Sequence, residues 1–164
     1  MSLIVEDGTG LAGAESYCSV ADFRTLCGAV GLNVSAVSDE RAEQLLRQAT
    51  EFLAGYDRAW KGRRVGAAQA LDWPRADVEA HGHRLPAYVI PGGLVGACAR
   101  LAYKAISGPL TRDIKPQKTR VKVGPIETEV APGTPQATQY LDVTRMLAPY
   151  LRSASPYAVK LVRN

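Results

Sequence analysis

The sequence predicts a mainly α-helical fold: a small bundle of about four helices with an inserted β-hairpin or extended arm and an extended C-terminal tail. Apolar residues recur at helical spacing in several segments, most clearly between residues 38 and 55. Valine, isoleucine and threonine alternate with charged residues over about 118–131, a pattern typical of a hairpin. With 164 residues, 46% of them hydrophobic, the chain can bury a core without disulfide or metal support. We expect one helical domain over 1–152 and the tail over 153–164.

Local start and stop signals place the first two helices. Ser19 is a suitable N-cap for a short helix that Gly28 ends. Ser38 caps the second helix, and acidic residues follow it in the first turn, where the helix dipole favours them. This helix ends near Gly55.

Two further helices complete the predicted bundle. The third begins at Pro91 and stops at 107–109, and its apolar stripe makes it the expected core partner of the second helix. The last helix is expected over about 138–151. Residues 3–5 read as a short extended segment, and the polar segment 77–84 is expected to form a loop.

The first limb of the predicted hairpin concentrates positive charge. It carries five cations against the single acid Asp113, a net charge of +4 that equals the net charge of the whole chain. The candidates for contact with DNA or a channel are Lys115, Lys118, Arg120 and Lys122. Single-strand binders also stack bases on interleaved aromatic residues, and this limb has none. Contact with an acidic protein surface, or a merely solvated hairpin with Glu127 and Glu129 paired across it, therefore stays open.

Both tryptophans lie in the connector 60–75 between the second and third helices. A connector with two large aromatic residues must pack against something. Either both tryptophans pack within the subunit, or some of this segment contacts a partner, because Trp and Arg are enriched at interface hot spots. We predict that Trp73 packs internally and assign four residues to a subunit or partner interface: Trp60, Arg63, Arg64 and Arg75.

The tail is a second candidate interface. Apolar and polar residues alternate along it, which is typical of an extended end that a partner covers. The residues assigned to this interface are Tyr157, Val159, Leu161 and Arg163.

Motifs for catalysis, cofactors and metals have little support in the sequence. Residues 8–13 read G-x-G-x-x-G, but the second strand and acidic residue of a dinucleotide site do not follow. His81 and His83 offer only two metal ligands, and the three cysteines form no Cys-x-x-Cys pair. We therefore expect no enzyme activity, no cofactor and no metal site, and we expect the cysteines to be buried free thiols.

Membrane association and secretion are also not expected. The longest apolar runs are far too short to cross a bilayer. The N-terminus lacks the basic start and the sustained apolar core of a secretory signal. We expect action in the cytoplasm or in an assembly made there.

Blocks of sequence over most of the chain resemble tailed-bacteriophage head–tail connector (adaptor) proteins, whose relatives are often labelled DnaT-like single-stranded-DNA-binding proteins. The most specific blocks are Trp-Lys-Gly-Arg-Arg at 60–64 and Gln-Ala-Leu-Asp-Trp-Pro-Arg at 69–75. Weaker matches lie at 3–10, 14–17, 45–50, 107–110 and 123–127.

The resemblance implies a structural adaptor without catalytic residues. Such a subunit would form a dodecameric ring beneath the portal protein and extend the channel for phage double-stranded DNA to the next neck or tail protein. Its place would be the virion neck, after assembly in the host cytoplasm. The DnaT-like label implies the alternative, a single-stranded-DNA-binding accessory protein.

Overall fold

Four helices and three short antiparallel strand pairs make up the part of the chain that the computed structural model describes, residues 2–111, 120–123, 126–129 and 140–152. The helices are α1 (Val20–Ala29), α2 (Asp39–Ala54), α3 (Gly92–Ala105) and α4 (Leu141–Leu147), with 3-10 turns at Asp57–Ala59 and Ala148–Tyr150. The strand pairs are β1 (Arg63–Arg64) with β2 (Arg75–Ala76), β3 (Glu79–Ala80) with β4 (His83–Arg84), and β5 (Arg120–Val123) with β6 (Ile126–Glu129). The fold is mixed but mainly helical.

The predicted starts of the first three helices are confirmed. The Ser19 hydroxyl accepts a hydrogen bond from the backbone N–H of Asp22 at 3.0 Å, and the Ser38 hydroxyl accepts one from Arg41 at 3.2 Å. Each bond satisfies an N–H group that has no partner inside its own helix. Pro91 occupies the N-cap position of α3.

The final helix is shorter than predicted. It was expected over about 138–151, but α4 spans Leu141–Leu147 and a 3-10 turn follows at Ala148–Tyr150. Pro149 lies in that turn. Its ring would clash with the carbonyl one turn earlier in an α-helix, and it has no N–H to donate, so the regular helix ends before it. Residues 138 and 139 lie outside the described part of the chain.

The expected loop at 77–84 contains a small hairpin. β3 and β4 pair Glu79 with Arg84 and Ala80 with His83. The two residues between the strands, His81 and Gly82, have φ values of 53° and 77°. Positive φ at both central residues is the requirement of a type I′ turn, whose twist matches that of a two-stranded ribbon.

The predicted hairpin arm is confirmed where the structure describes it. β5 and β6 are antiparallel, and their register places Arg120 opposite Glu129 and Lys122 opposite Glu127. Cations of the first limb and acids of the second therefore occupy paired positions. The rest of the arm over 118–131 and the tail over 153–164 lie outside the described residues.

α3 is the central helix of the core. It packs against α1, α2 and α4, which confirms α2 and α3 as a core pair. Its Leu94, Cys98 and Leu101 are fully buried. On the face toward α4, a Cβ atom at Gly93 would lie 2.8 Å from Cε2 of Tyr150, so glycine is what allows this close approach. In the described ranges, no helix combines the length and apolarity needed to cross a membrane.

Candidate functional site

A row of six aromatic side chains runs from α2 through the connector to α4. Successive ring centroids lie 5.5 to 6.3 Å apart, in edge-to-face or tilted arrangements that suit aromatic pairs. The members of this aromatic row are, in spatial order, Tyr140, Phe52, Tyr56, Trp60, Trp73 and Tyr150. The connector is thus part of the core: its tryptophans link the residues after α2 to the 3-10 turn after α4, and Phe52 of α2 contacts Tyr140 at the start of α4.

Trp60 is a core residue, contrary to its assignment as an interface residue. Its side chain is fully buried by the protein's own atoms, and its Nε1 donates a hydrogen bond to Asp72 Oδ2 at 3.3 Å. Trp73 is fully buried as well, as predicted, and its peptide bond to Pro74 is cis. Trp60 cannot present its ring to a neighbour, because Tyr56 and Trp73 cover it.

Arg75 is also buried, which corrects its assignment to an interface. Its guanidinium donates to the carbonyl oxygens of Lys61 at 2.8 Å, Gly62 at 3.0 Å and Asp72 at 3.2 Å. A guanidinium has a fixed fork of donors, so one side chain holds both ends of the connector together. In the described structure, Arg75 therefore stabilises the connector within the subunit.

Two buried polar residues organise the connector and were missed by sequence reasoning. Gln69 Oε1 accepts bonds from the N–H groups of Val65 and Gly66, both at 2.9 Å, and its Nε2 donates to Leu71 O at 2.7 Å. Tyr17 accepts a bond from the Trp73 N–H at 3.3 Å through its hydroxyl. Burial raises the pKa of Tyr17, which therefore stays neutral. The sequence signals for these residues were their positions in matching blocks, Gln69 in 69–75 and Tyr17 in the weaker match at 14–17.

Arg63 and Arg64 are exposed on β1, so their interface role stays a prediction. Arg63 Nε forms an ion pair with Asp77 Oδ2 at 3.1 Å, and Asp77 also pairs with Arg84. The Arg64 guanidinium donates to the carbonyls of Gln69 and Leu71. Both arginines keep surface exposure while stabilising the loop that carries them.

Asp72 sits in an electrostatically unfavourable position at the edge of the aromatic row. Burial raises the pKa of its carboxyl group, and the neighbouring carboxyl of Asp57 raises it further. The bond from Trp60 Nε1 acts in the opposite direction. A proton is therefore held on this carboxyl at higher pH than on an ordinary aspartate.

The glycine-rich loop at 8–13 surrounds a carboxylate of its own chain. Glu6 is buried, and its carboxylate accepts bonds from the N–H groups of Gly8 at 3.0 Å, Gly10 at 2.8 Å and Leu11 at 2.9 Å. In a dinucleotide site such N–H groups point at a phosphate. Here the Glu6 carboxylate accepts these hydrogen bonds in place of a phosphate. The glycine-rich loop therefore has a structural role in binding Glu6.

The histidines and cysteines do not converge on a metal within the described residues. His81 and His83 are exposed on the β3–β4 hairpin. The described ranges contain no group of three or more His, Cys, Asp or Glu side chains placed to hold a metal ion. The three cysteines are buried free thiols, as expected, and burial raises the pKa of Cys98.

An open groove of about 860 Å³ lies between the C-terminal half of α2 and the segment that follows α3. Phe52 and Tyr56 of the aromatic row line it from one side, and Ile106 and Leu110 line it from the other. Both rings are half-buried, whereas Trp60, further along the row, is wholly covered. The groove is therefore where the aromatic row reaches solvent.

The described residues that flank the segment containing the arm, Leu110 and Tyr140, lie beside this groove. Tyr140, where the described chain resumes, donates a hydrogen bond from its hydroxyl to the carbonyl of Leu110 at 3.2 Å. Its ring packs on Phe52 at 5.5 Å, and Lys104 Nζ lies 5.4 Å from its centroid. The two ends of segment 111–139 are thus tied together at one edge of the groove.

The structure locates only some of the predicted binding residues. Arg120 and Lys122 lie in β5. Lys115 and Lys118 in the arm, and Tyr157, Val159, Leu161 and Arg163 in the tail, lie outside the described residues. The aromatic residues that the basic limb lacks are found at the base of the arm instead, contributed by α2 and by Tyr140.

Comparison with known proteins gives a family but no individual relative. The family described as "Putative DnaT-like ssDNA binding protein" matches residues 1–164. No curated protein and no solved structure matches the chain. This result corrects the head-to-tail adaptor prediction, because the description of the matched family names single-stranded DNA and no phage connector. The match gives no support to the predicted dodecameric ring or to the portal and tail partners. The chain belongs to the family of DnaT-like ssDNA binding proteins.

Proposed function

We propose that this protein binds single-stranded DNA, and that the basic limb of the arm holds the phosphates beside the groove. The proposal is for a binding protein without catalysis of its own. Membership of a family described as ssDNA binding over the whole chain supports it. The observation that carries it is the hydrogen bond between Tyr140 and Leu110, which joins the two residues flanking the charged segment next to half-buried aromatic rings.

This arrangement supplies the two components of sequence-tolerant single-strand binding. Cations attract the phosphate backbone, and aromatic faces accept unstacked bases. The limb carries a net charge of +4, and the aromatic row reaches solvent through Phe52 and Tyr56. Duplex DNA offers phosphates but keeps its bases stacked, so only a single strand can use both components.

The hairpin register indicates which cations contribute most. Arg120 and Lys122 occupy register positions opposite Glu129 and Glu127, so each of these cations has an acidic residue at the facing position of the partner strand. Lys115 and Lys118 precede β5 in the sequence and lie outside the described residues, and the sequence has no acidic residue from 114 to 125. We expect these two lysines to dominate the electrostatic part of binding.

A salt series with a labelled thymidine oligonucleotide of about 16 nucleotides tests the proposal by fluorescence anisotropy. If about four cations contact phosphates, the logarithm of the association constant falls with a slope of about −2.8, which is about 50-fold weaker binding between 50 and 200 mM salt. Lys115→Gln with Lys118→Gln should make the slope less steep by about 1.4. The matched control is Arg58→Gln with Arg145→Gln, which removes two exposed cations outside the arm and should leave the slope unchanged.

Two results would contradict the proposal. One is the absence of binding to the thymidine oligonucleotide at about 50 mM salt, where electrostatic contacts are strongest. The other is an equal loss of affinity in the arm variant and in its control, which would show that only total charge matters.

A further inference from the structure

We propose that the groove beside the arm receives unstacked nucleobases of single-stranded DNA, and that Phe52 and Tyr56 are its stacking residues. This inference rests on the proposed function and deepens it by giving the bases a site of their own. The groove volume of about 860 Å³ lies in the range of small-molecule binding sites and can hold more than one base.

One face of α2 forms the first wall of the groove. Gln48, Glu51, Phe52 and Gly55 follow the i, i+3, i+4, i+7 spacing that places side chains along one side of a helix. Tyr56 continues this wall beyond the end of α2. The wall therefore presents two aromatic rings beside the amide of Gln48 and the carboxylate of Glu51. Gly55, which has no side chain, lies between Phe52 and Tyr56 in the sequence.

The opposite wall is apolar where it faces the rings. Ile106 is 41% exposed and lines this side of the groove. Leu110 and Pro109 extend this surface toward the base of the arm. A flat ring that enters from solvent would contact aromatic side chains on one side and aliphatic side chains on the other.

The charges around the groove fit bases inside and phosphates outside. Glu51 lines the middle of the groove and would repel a phosphate placed there, but its carboxylate can accept a bond from the exocyclic amine of cytosine or adenine. Arg41 lines the far end, ten residues and about 15 Å along α2 from Glu51. The backbone of the strand would therefore pass outside the groove near Arg41, and only the uncharged bases would enter.

Phe52 and Tyr56 are the two members of the aromatic row that line the groove, and they differ in burial from the two tryptophans. Trp60 and Trp73 are fully buried, so their packing is complete without a ligand. Phe52 and Tyr56 are half-buried, and their remaining surface faces the groove. Base stacking would cover this surface.

The test compares two oligonucleotides of equal length and charge, one of thymidine and one with abasic sites in place of the bases. The abasic strand should bind more weakly, because it keeps the phosphates and loses the stacking. Tyr56→Leu should weaken thymidine binding about 5-fold to 100-fold and leave abasic binding unchanged. Tyr56→Phe keeps the ring and should bind like the original protein.

Tyr88→Leu is the matched control, because Tyr88 is 66% exposed and does not line the groove. It should change neither affinity. Phe52→Leu, which retains apolar volume in the core, should repeat the effect of Tyr56→Leu. Thermal unfolding of each variant shows that it is folded before its affinity is measured.

Crosslinking gives a second readout that needs no variant. A strand with 5-iododeoxyuridine, irradiated on the unaltered protein and digested with trypsin, should label the peptide 48–58, which contains both rings. The peptide 85–100, which contains Tyr88, should stay unlabelled.

The outcomes separate the two proposals. If neither strand binds, the proposed function fails. Equal binding of the thymidine and abasic strands, or crosslinking confined to other peptides, would leave DNA binding standing and overturn the groove as a base site.

Discussion

The burial of Trp60 makes a quantitative prediction about folding. Its side chain is fully buried, packs between Tyr56 and Trp73 at centroid distances of 5.8 and 5.9 Å, and donates a hydrogen bond to Asp72. Trp60→Ala removes this packing and leaves a cavity at the centre of the aromatic row. Replacements of this kind cost about 3–5 kcal/mol of unfolding free energy. That is a large fraction of the roughly 5–15 kcal/mol that stabilises a typical domain.

Thermal and urea unfolding followed by far-ultraviolet circular dichroism measure this cost. For a chain of this length, the loss corresponds to a decrease in Tm of about 6–20 °C. Trp60→Phe keeps an aromatic ring and loses the bond to Asp72, so its cost should be clearly smaller. Tyr88→Ala changes an exposed ring and should stay within about 0.5 kcal/mol of the original protein. An unchanged Tm in Trp60→Ala, with altered self-association, would refute the reasoning and return Trp60 to an interface.

Two further predictions concern Asp72 and Gly93. Because burial and Asp57 raise the pKa of Asp72 above its ordinary value of 3.8, its contribution to stability is present at low pH and is lost as pH rises through the folded-state pKa. Asp72→Asn should therefore gain stability relative to the original protein as pH rises above 3.8, and a pH-independent difference in unfolding free energy would contradict this. Gly93→Ala should lower the unfolding free energy by about 1–3 kcal/mol, because the new Cβ would lie 2.8 Å from Tyr150 Cε2. Gly92→Ala, with nothing within 4 Å of its Cβ, is the matched control in urea unfolding and should be neutral or stabilising.

Local signals explain why most of the helices could be predicted. The N-caps at Ser19 and Ser38 act within three residues, so the sequence alone contains the interaction. The β5–β6 hairpin was predictable for the same reason, since alternation and a Gly-Pro break are local features. The predicted end of α4 is wrong because the apolar spacing continues past Pro149, whereas the regular helix ends before it. Pro149 is itself a local signal in the sequence.

The connector shows what local patterns cannot decide. The neighbouring sequence does not distinguish a tryptophan buried in the core from one at an interface. Only the contacts with Tyr56 and Trp73 show that Trp60 lies in the core. Arg75 was expected at a surface because it is charged, yet three backbone carbonyls satisfy its donors internally. Such bonds form only where the chain folds back to bring these carbonyl groups close to the guanidinium. Residue composition does not predict that position.

The candidate site depends on a long-range contact. The basic limb has no aromatic residue, and this weakened the single-strand hypothesis at the level of sequence. Phe52 and Tyr140 are 88 residues apart but pack at 5.5 Å, and Tyr140 is bonded to Leu110 at the start of the arm. Folding therefore supplies the aromatic surface that the limb lacks.

The central claim is that this chain binds single strands through both charge and bases. The most direct measurement is the affinity of the full chain for a thymidine oligonucleotide and for a duplex of the same length, titrated in parallel at about 200 mM salt. We predict preferential binding to the single strand, since only its bases are free to stack. Equal or tighter binding to the duplex, or no binding to either, would contradict it.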